Sequence, residues 1–268
     1  QGPCRPKASL APSPQMLRAA LARIRPGAAD APPAAAPAAA RAAPKIAACG
    51  TDAAANKRLY DEWGDRYERD VRAWGYRMPE VCAAALKRHA PDGERASFRV
   101  LDAGAGDGLS GKAIVDEGFP HVVGIDISPE LVAKASARGV YRYAEVGNLA
   151  EPLKYDSGEF DAVMAVGVMT YLEPTGTCLD ELCRVVKDRG LVIFTHRTDK
   201  MSQWEEKHSQ LERDRVWEKV EISEPQPYLP KNPEFADEIK VVVHVYRVTK
   251  TSVLGALASR MGCTCVAR

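Results

Sequence analysis

Nine consecutive residues, Val100 to Gly108, read V-L-D-A-G-A-G-D-G and put an acid two places before the first of three alternating glycines. Gly104 and Gly106 remove side chains where a backbone must turn sharply and come close to a ligand. If a helix starts just beyond, its free N–H groups can bond an anionic group such as a carboxylate. Asp102, at the end of an apolar run, can accept from a cationic amino group or anchor the loop. Further on, Gly124-Ile-Asp-Ile-Ser128 places Asp126 at the tip of a second apolar run. An acid there, beside the first loop, can accept from both hydroxyls of a ribose. The dinucleotide fingerprint G-x-G-x-x-G needs a third glycine where this chain has Leu109, so nicotinamide chemistry is disfavoured.

Those acids and glycines work only if strand ends present them side by side. Apolar runs at 98–103, 122–127, 140–146, 160–166 and 190–196 read as strands, with helical patterns at 109–117, 129–138 and 176–186 between them. Two helices precede the first strand. One spans 54–73, where Leu59, Tyr60, Trp63, Tyr67 and Val71 recur at three- and four-residue intervals, and the other spans 79–89. Such alternation implies right-handed crossovers and a parallel sheet covered on both faces. Near the end, 216–222 and 240–248 are β-rich, and the four prolines of 223–233 leave no helix between them. The expected fold is therefore a Rossmann-like α/β domain, a mostly parallel seven-stranded sheet with an antiparallel C-terminal hairpin strand.

The chain resembles the class I methyltransferases, and more narrowly the methyltransferase-like proteins named after the Williams–Beuren syndrome chromosome region. Carrying the resemblance are Y-D-E-W-G-D-R-Y-E-R-D-V from Tyr60, the V-L-D-A-G-A-G-D-G-L stretch, and G-F-P-H-V-V-G-I-D-I-S-P-E from Gly118. F-D-A-V-M-A-V-G from Phe160 and E-L-C-R-V-V-K from Glu181 add to it, so about residues 55–250 are covered. The resemblance implies S-adenosylmethionine as cofactor, with S-adenosylhomocysteine as product. It places Asp102, Gly104, Ala105 and Gly106 around the methionine part, and Asp126 and Ile127 at the ribose and one adenine face. Asn148 and Leu149 fall at the adenine edge, where relatives often carry an acid. Val166 and Gly167 end the fourth strand beside the reacting methyl. A second departure is Lys187-Asp-Arg-Gly190, where relatives carry a Pro-Gly-Gly turn.

Methyl transfer from a sulfonium needs alignment and exclusion of water more than a base. Tyr171, after the fourth strand, and His196, at the end of the fifth, are the catalytic candidates. Tyr60, Trp63 and Tyr67 are candidates for a lid over the cofactor. No metal site is expected; Cys263 and Cys265 form a lone C-x-C. No basic groove, aromatic RNA-binding motif or Asn-Pro-Pro-Tyr-type element is present, so a small-molecule acceptor is expected.

Net charge is +1, which gives no global pull toward nucleic acid or membrane. Residues 1–50 nevertheless hold seven Arg or Lys against the single acid Asp30, and 27 of them are Ala or Pro. Three segments follow: a basic Ala/Pro arm at 1–52, transit-like or partner-binding, a methyltransferase domain at 53–250, and a tail at 251–268. Within the arm, 14–25 has the pattern of a short amphipathic helix. Seven scattered cysteines suit a reducing, intracellular compartment, a plastid or mitochondrion if the arm is a targeting segment and the cytoplasm otherwise. No apolar run reaches the roughly 20 residues that span a bilayer. Two function classes stay open: a small-molecule methyltransferase, and a methyltransferase-fold subunit of a large organellar assembly docked through residues 1–50.

Overall fold

The computed structural model describes residues 45–46, 49–235 and 238–250. The expectations for the amphipathic stretch at 14–25, for nearly all of the arm, and for the 251–268 tail with its C-x-C lie outside the described residues.

Asp52 opens the first helix, α1 (Ala53–Trp63), by accepting from the backbone N–H groups of Ala54 and Ala55 through Oδ1 at 3.0 Å. The expected single helix over 54–73 is broken at Gly64, whose φ of 27° leaves the helical region. The chain resumes as α2 (Tyr67–Ala73), and then α3 (Met78–His89). The nucleotide-type core follows as β1 (Arg99–Ala103), α4 (Leu109–Asp116), β2 (His121–Asp126), α5 (Pro129–Ala137), β3 (Tyr143–Val146) and β4 (Phe160–Ala165). It continues as α6 (Cys178–Val185), β5 (Val186–Arg197), α7 (Glu205–Arg213), β6 (Trp217–Ile222), β7 (Gln226–Pro227) and β8 (Lys240–Val248).

The strands order as β3-β2-β1-β4-β5-β8-β6, with the two-residue β7 also on β8. β3, β2, β1, β4 and β5 run parallel, and β8 lies antiparallel to both β5 and β6. The expected antiparallel hairpin strand is present. The sheet has eight strands rather than seven because Gln226 and Pro227, inside the Pro-rich linker, pair with Val241 and Lys240. β5 also starts earlier than expected. Lys187 to Gly190 stay in the strand as an irregularity, with Arg189 at φ 65° and a register shift between Phe160 and Ala162 on β4.

Side chains alternate across the sheet, so each strand feeds two cores. Leu101, Val123, Val163, Val192 and Phe194 face α6, Trp204 and Leu211. Val100, Val122, Met164 and Ile193 face α3 and Ile114 of α4. Burying each such chain is worth about 1.5–3 kcal/mol, which fixes the strands and therefore their ends. A third cluster joins Ile46, Trp63, Val71, Leu229 and Phe235, packing the N-terminal helices on the β7–β8 connection. Among the described residues, no helix is long and apolar enough to cross a membrane.

Candidate functional site

Register sets the site. Asp102 pairs with Gly124, Ala103 with Ile125, and Asp126 with Val146, so the tips of β1, β2 and β3 end level. The glycine loop leaving β1 is pinned to β2: Gly104 and Ala105 donate their N–H groups to the Ile125 carbonyl at 2.8 and 3.0 Å. Gly106 donates to Asp126 Oδ2 at 2.8 Å, and Ser128 donates to Asp126 Oδ1 at 2.9 Å. Each carboxylate oxygen is thus held by one backbone N–H and keeps a lone pair free. Burial raises the Asp126 pKa, and the backbone N–H groups, those of Ser128 and Gly106 foremost, offset part of it.

Asp102 has a different environment. It is fully buried, and its Oδ2 accepts from Ser110 Oγ at 2.6 Å and from the Tyr141 hydroxyl at 2.7 Å. Its Oδ1 has no hydrogen-bond partner. Burial pushes its carboxyl up to about 6, against the lowering effect of the Ser110 and Tyr141 donors. Tyr141 in turn accepts the Gly111 N–H at 3.1 Å, which ties β1 to the first turn of α4. Of the two roles open to Asp102 in the sequence, the geometry gives it the anchor.

A cleft opens above these strand ends, at the carboxyl ends of the parallel strands, where ligands of such sheets bind. Gly104, Gly106, Asp126 and Ile127 form one wall, Asn148 and Leu149 a second, and Val166, Gly167 and Val168 a third. Gly167 is steadied by Thr195, whose Oγ1 accepts the Gly167 N–H at 2.8 Å. Tyr60, Tyr67, Tyr76, Tyr171 and Tyr228 also line the cleft. The Tyr60 and Tyr171 hydroxyls meet at 2.6 Å. Burial drives all five phenol pKa values up, that of Tyr228 to about 12, so they stay neutral at physiological pH.

Of the expected site residues, Gly104, Gly106, Asp126, Ile127, Asn148, Leu149, Val166, Tyr171, Tyr60 and Tyr67 share this cleft. Asp102 and Ala105 lie behind it, both buried. Asn148 is partly committed: Oδ1 accepts from Ala150 N and Nδ2 donates to Glu151 Oε1, both at 3.0 Å. Trp63 does not line the cleft. It is 1% exposed, its Nε1–H bonds Asp70 at 3.0 Å, and it packs in the third cluster as a support for Tyr60 and Tyr67. His196 is a correction. It follows Thr195, which points to Gly167, so strand alternation turns it to the opposite face. There it is buried with Phe194, Trp204, His208 and His244, away from the cleft. Among the described residues, no group of three or more His, Cys, Asp or Glu side chains is placed to hold a metal ion.

Sequence reasoning passed over Tyr76, Tyr228, Tyr141, Val168 and Thr195. Tyr228 sits in a proline-rich linker with no periodicity to mark it. Thr195 was legible as the neighbour of His196 with opposite parity.

Residues 101–194 match the family described as methyltransferase domain. Methyltransferase-like protein 27 of Homo sapiens is 34% identical over 149 residues, 55% of this chain and 60% of that one. Demethylmenaquinone methyltransferase of Clavibacter sepedonicus is 37% identical over 140 residues, 51% of this chain and 55% of that one. Residues 101–194, the stretch that carries the glycine loop and Asp126, are thus similar to a methyltransferase domain. The chain spans less than two thirds of the length of these two relatives. A solved Haloferax volcanii structure, the complex of the Trm112 methyltransferase activator with a methyltransferase, shares the fold. Its TM-score is 0.53 at 19% identity, covering 71% of this chain and 98% of that one.

S-adenosylmethionine is the cofactor of such domains, and the residues fit it. Asp126 keeps a free lone pair on each oxygen, and a side chain on Gly104 would collide with Val168 at 2.1 Å, so the loop backbone itself forms the wall. Ile127 and Leu149 supply flat apolar contact.

Proposed function

We propose that the chain transfers a methyl group from S-adenosylmethionine to a small-molecule acceptor. The supporting observation is the Asp126 carboxylate, fixed by two backbone N–H groups in a cleft that continues beneath five tyrosines. In this reading Asp126 takes the ribose hydroxyls, and Ile127 and Leu149 take the adenine faces. The remaining N–H of Asn148 reaches its edge. Gly104, Gly106, Val166 and Gly167 flank the methionine part, with Ala105 and Asp102 behind them as the loop's support.

When bound, the cofactor supplies an electrophilic methyl on a cationic sulfur, so the activation resides in it. The chain must hold the acceptor in line and keep water out. Tyr171 serves the first need. Its hydroxyl is fixed by Tyr60 and its raised pKa makes it a hydrogen-bond partner rather than a base. α1 and α2 serve the second. Arg138 of the turn after α5 bonds Glu68 on α2 at 2.8 Å and the Asp107 carbonyl beside the glycine loop at 2.9 Å. Ser128 donates to Asp61, and Lys134 reaches Asp65 at 2.7 Å. Demethylmenaquinone methyltransferase, a relative named above, bears the name of a small-molecule acceptor, which supports the same class here.

The test is acceptor-dependent formation of S-adenosylhomocysteine by purified protein across a panel of small amines, phenols, thiols and carboxylic acids. Turnover with a panel member, lost in Asp126→Ala, supports the proposal. Turnover confined to RNA or protein acceptors refutes the small-molecule assignment.

A further inference from the structure

The cleft carries an uneven charge pattern. Among the described residues that line it, the only carboxylic acids are Asp126 and Glu173, and none is Lys, Arg or His. Asp126 stands at the β2 tip, and Glu173 stands at the exposed rim, where Thr51 of the segment before α1 donates to it. An anionic acceptor would enter against both acids with no cation to meet it.

The rest of that end of the cleft is phenol. Tyr60 crosses Tyr171 edge-on, with ring centres 5.7 Å apart at 88°, and Tyr67 stands 5.9 Å from Tyr60 at 64°. Tyr76 and Tyr228 meet edge-on at 5.6 Å and 88°. Their hydroxyls each approach to 3.1 Å of the point where a side chain on Gly167 would begin. Tyr60 and Tyr171 turn their hydroxyls to each other, and the three ring pairs cross at 64° to 88°, so this end of the cleft is bounded by aromatic rings and neutral hydroxyls rather than by charged donors. Ring faces carry negative potential and attract cations. Arg197 lies beyond Tyr171 and Tyr228, where it offsets part of the burial-driven rise of both phenols, but it is bonded bidentate by Asp199 at 3.0 and 2.6 Å and stacked on Phe235. Its charge is met locally.

Base chemistry points the same way. A hydroxyl acceptor must lose a proton as it reacts. The phenols are held neutral, Asp126 is engaged by the loop, Glu173 is at the rim, and His196 is on the far side of the sheet. An amine needs no such group inside the cleft.

We infer that the tyrosine-lined end of the cleft is a cation-binding acceptor subsite and that the acceptor is a small aliphatic amine. This rests on the methyltransferase reading. The amine gives its proton to water as it enters from the open mouth of the cleft. Its nitrogen lone pair then forms the new N–C bond as the S–C bond breaks, and that electron pair stays on sulfur. The positive charge passes from sulfur to nitrogen, within reach of the same rings before and after.

The experiment is calorimetric titration of the full chain saturated with S-adenosylhomocysteine. The probes are choline and its neutral carbon isostere 3,3-dimethylbutan-1-ol, on wild type, Tyr171→Phe and Tyr171→Leu. Choline binding about tenfold tighter than the isostere is expected, the size of a desolvated cation–π contact. The preference should survive in Tyr171→Phe, which keeps the ring, and shrink in Tyr171→Leu. Equal or tighter binding of the neutral isostere to wild type overturns the inference while leaving the methyltransferase reading intact. No binding of S-adenosylhomocysteine by folded protein overturns both. Because the isostere comparison is made on wild type, a misfolded leucine variant leaves the test decisive.

Discussion

Gly104 is the residue on which loop, fourth strand and cleft meet, and its replacement by alanine is calculable. At φ 79° a residue with a side chain is strained by about 1 kcal/mol. The new Cβ would also lie 2.1 Å from Val168 Cγ2 and 3.3 Å from Val168 Cβ and Cγ1. Contact distance is near 3.5–4.0 Å, so Val168 or the loop must move by more than 1 Å, an overpacking cost of about 1–3 kcal/mol. Gly104→Ala should therefore lose about 2–4 kcal/mol, equivalent to a fall in Tm of very roughly 5–15 °C for a domain of this size. Val168→Ala alone should cost about 1 kcal/mol. The double variant loses the 2.1 Å collision and keeps the backbone term, so the cycle should be non-additive by about 1–3 kcal/mol in the favourable direction. Gly106→Ala is the control. Its Cβ meets nothing within 4 Å, and only the backbone term of about 1 kcal/mol applies. Urea unfolding of the four variants beside wild type reads the cycle and its control, and additive costs, or Gly106→Ala as damaging as Gly104→Ala, would refute the steric reasoning.

Three further outcomes follow from contacts already described. His244 lies against Phe194 and Tyr246 with ring planes nearly parallel, and both its ring nitrogens are buried without hydrogen-bond partners, so His244→Phe should raise stability at pH 7 by about 1–3 kcal/mol in denaturant melts. Burial lowers the pKa of His244 to about 3, of His208 to about 4, and of His196 well below its ordinary value. The unfolded chain takes up these protons near pH 6.5 and the folded one does not, so stability drains as pH falls from about 6.5 toward about 4. For His244 the loss reaches up to about 2 kcal/mol at pH 5. Asp102 and Asp126, both raised, act in the opposite sense, so the check is the difference between His244→Phe and wild type across pH 4.5–7.5, which should widen toward acid. Arg138→Ala strands the buried Asp107 carboxylate and frees α2, so it should cost about 2 kcal/mol of stability and weaken cofactor binding severalfold by calorimetry.

The sequence carried much of this because the site is made at strand ends. A glycine-rich loop after one apolar run and an acid at the tip of the next are local signals, and parallel pairing of neighbours brings Gly106 to Asp126 without further information. The split of the first helix at Gly64 was less legible, since the apolar spacing of Tyr60, Trp63, Tyr67 and Val71 runs unbroken through it. α7 gave almost no signal: in Glu205–Arg213 only Leu211 is buried, and the rest is charged or polar. His196 went to the wrong side because its face depends on a parity that Thr195 and Gly167 set together. Tyr76 and Tyr228 are 152 residues apart in the chain and meet only in three dimensions.

The most direct measurement is calorimetric titration of S-adenosylmethionine and S-adenosylhomocysteine into the purified chain, wild type beside Asp126→Ala. Asp126 offers charged acceptors to two hydroxyls, each such bond being worth about 1.5–3 kcal/mol. Micromolar binding, weakened at least about tenfold by the substitution, is the predicted result. Folded wild-type protein that binds neither ligand, or an Asp126→Ala variant that binds both as tightly as wild type, would contradict the account.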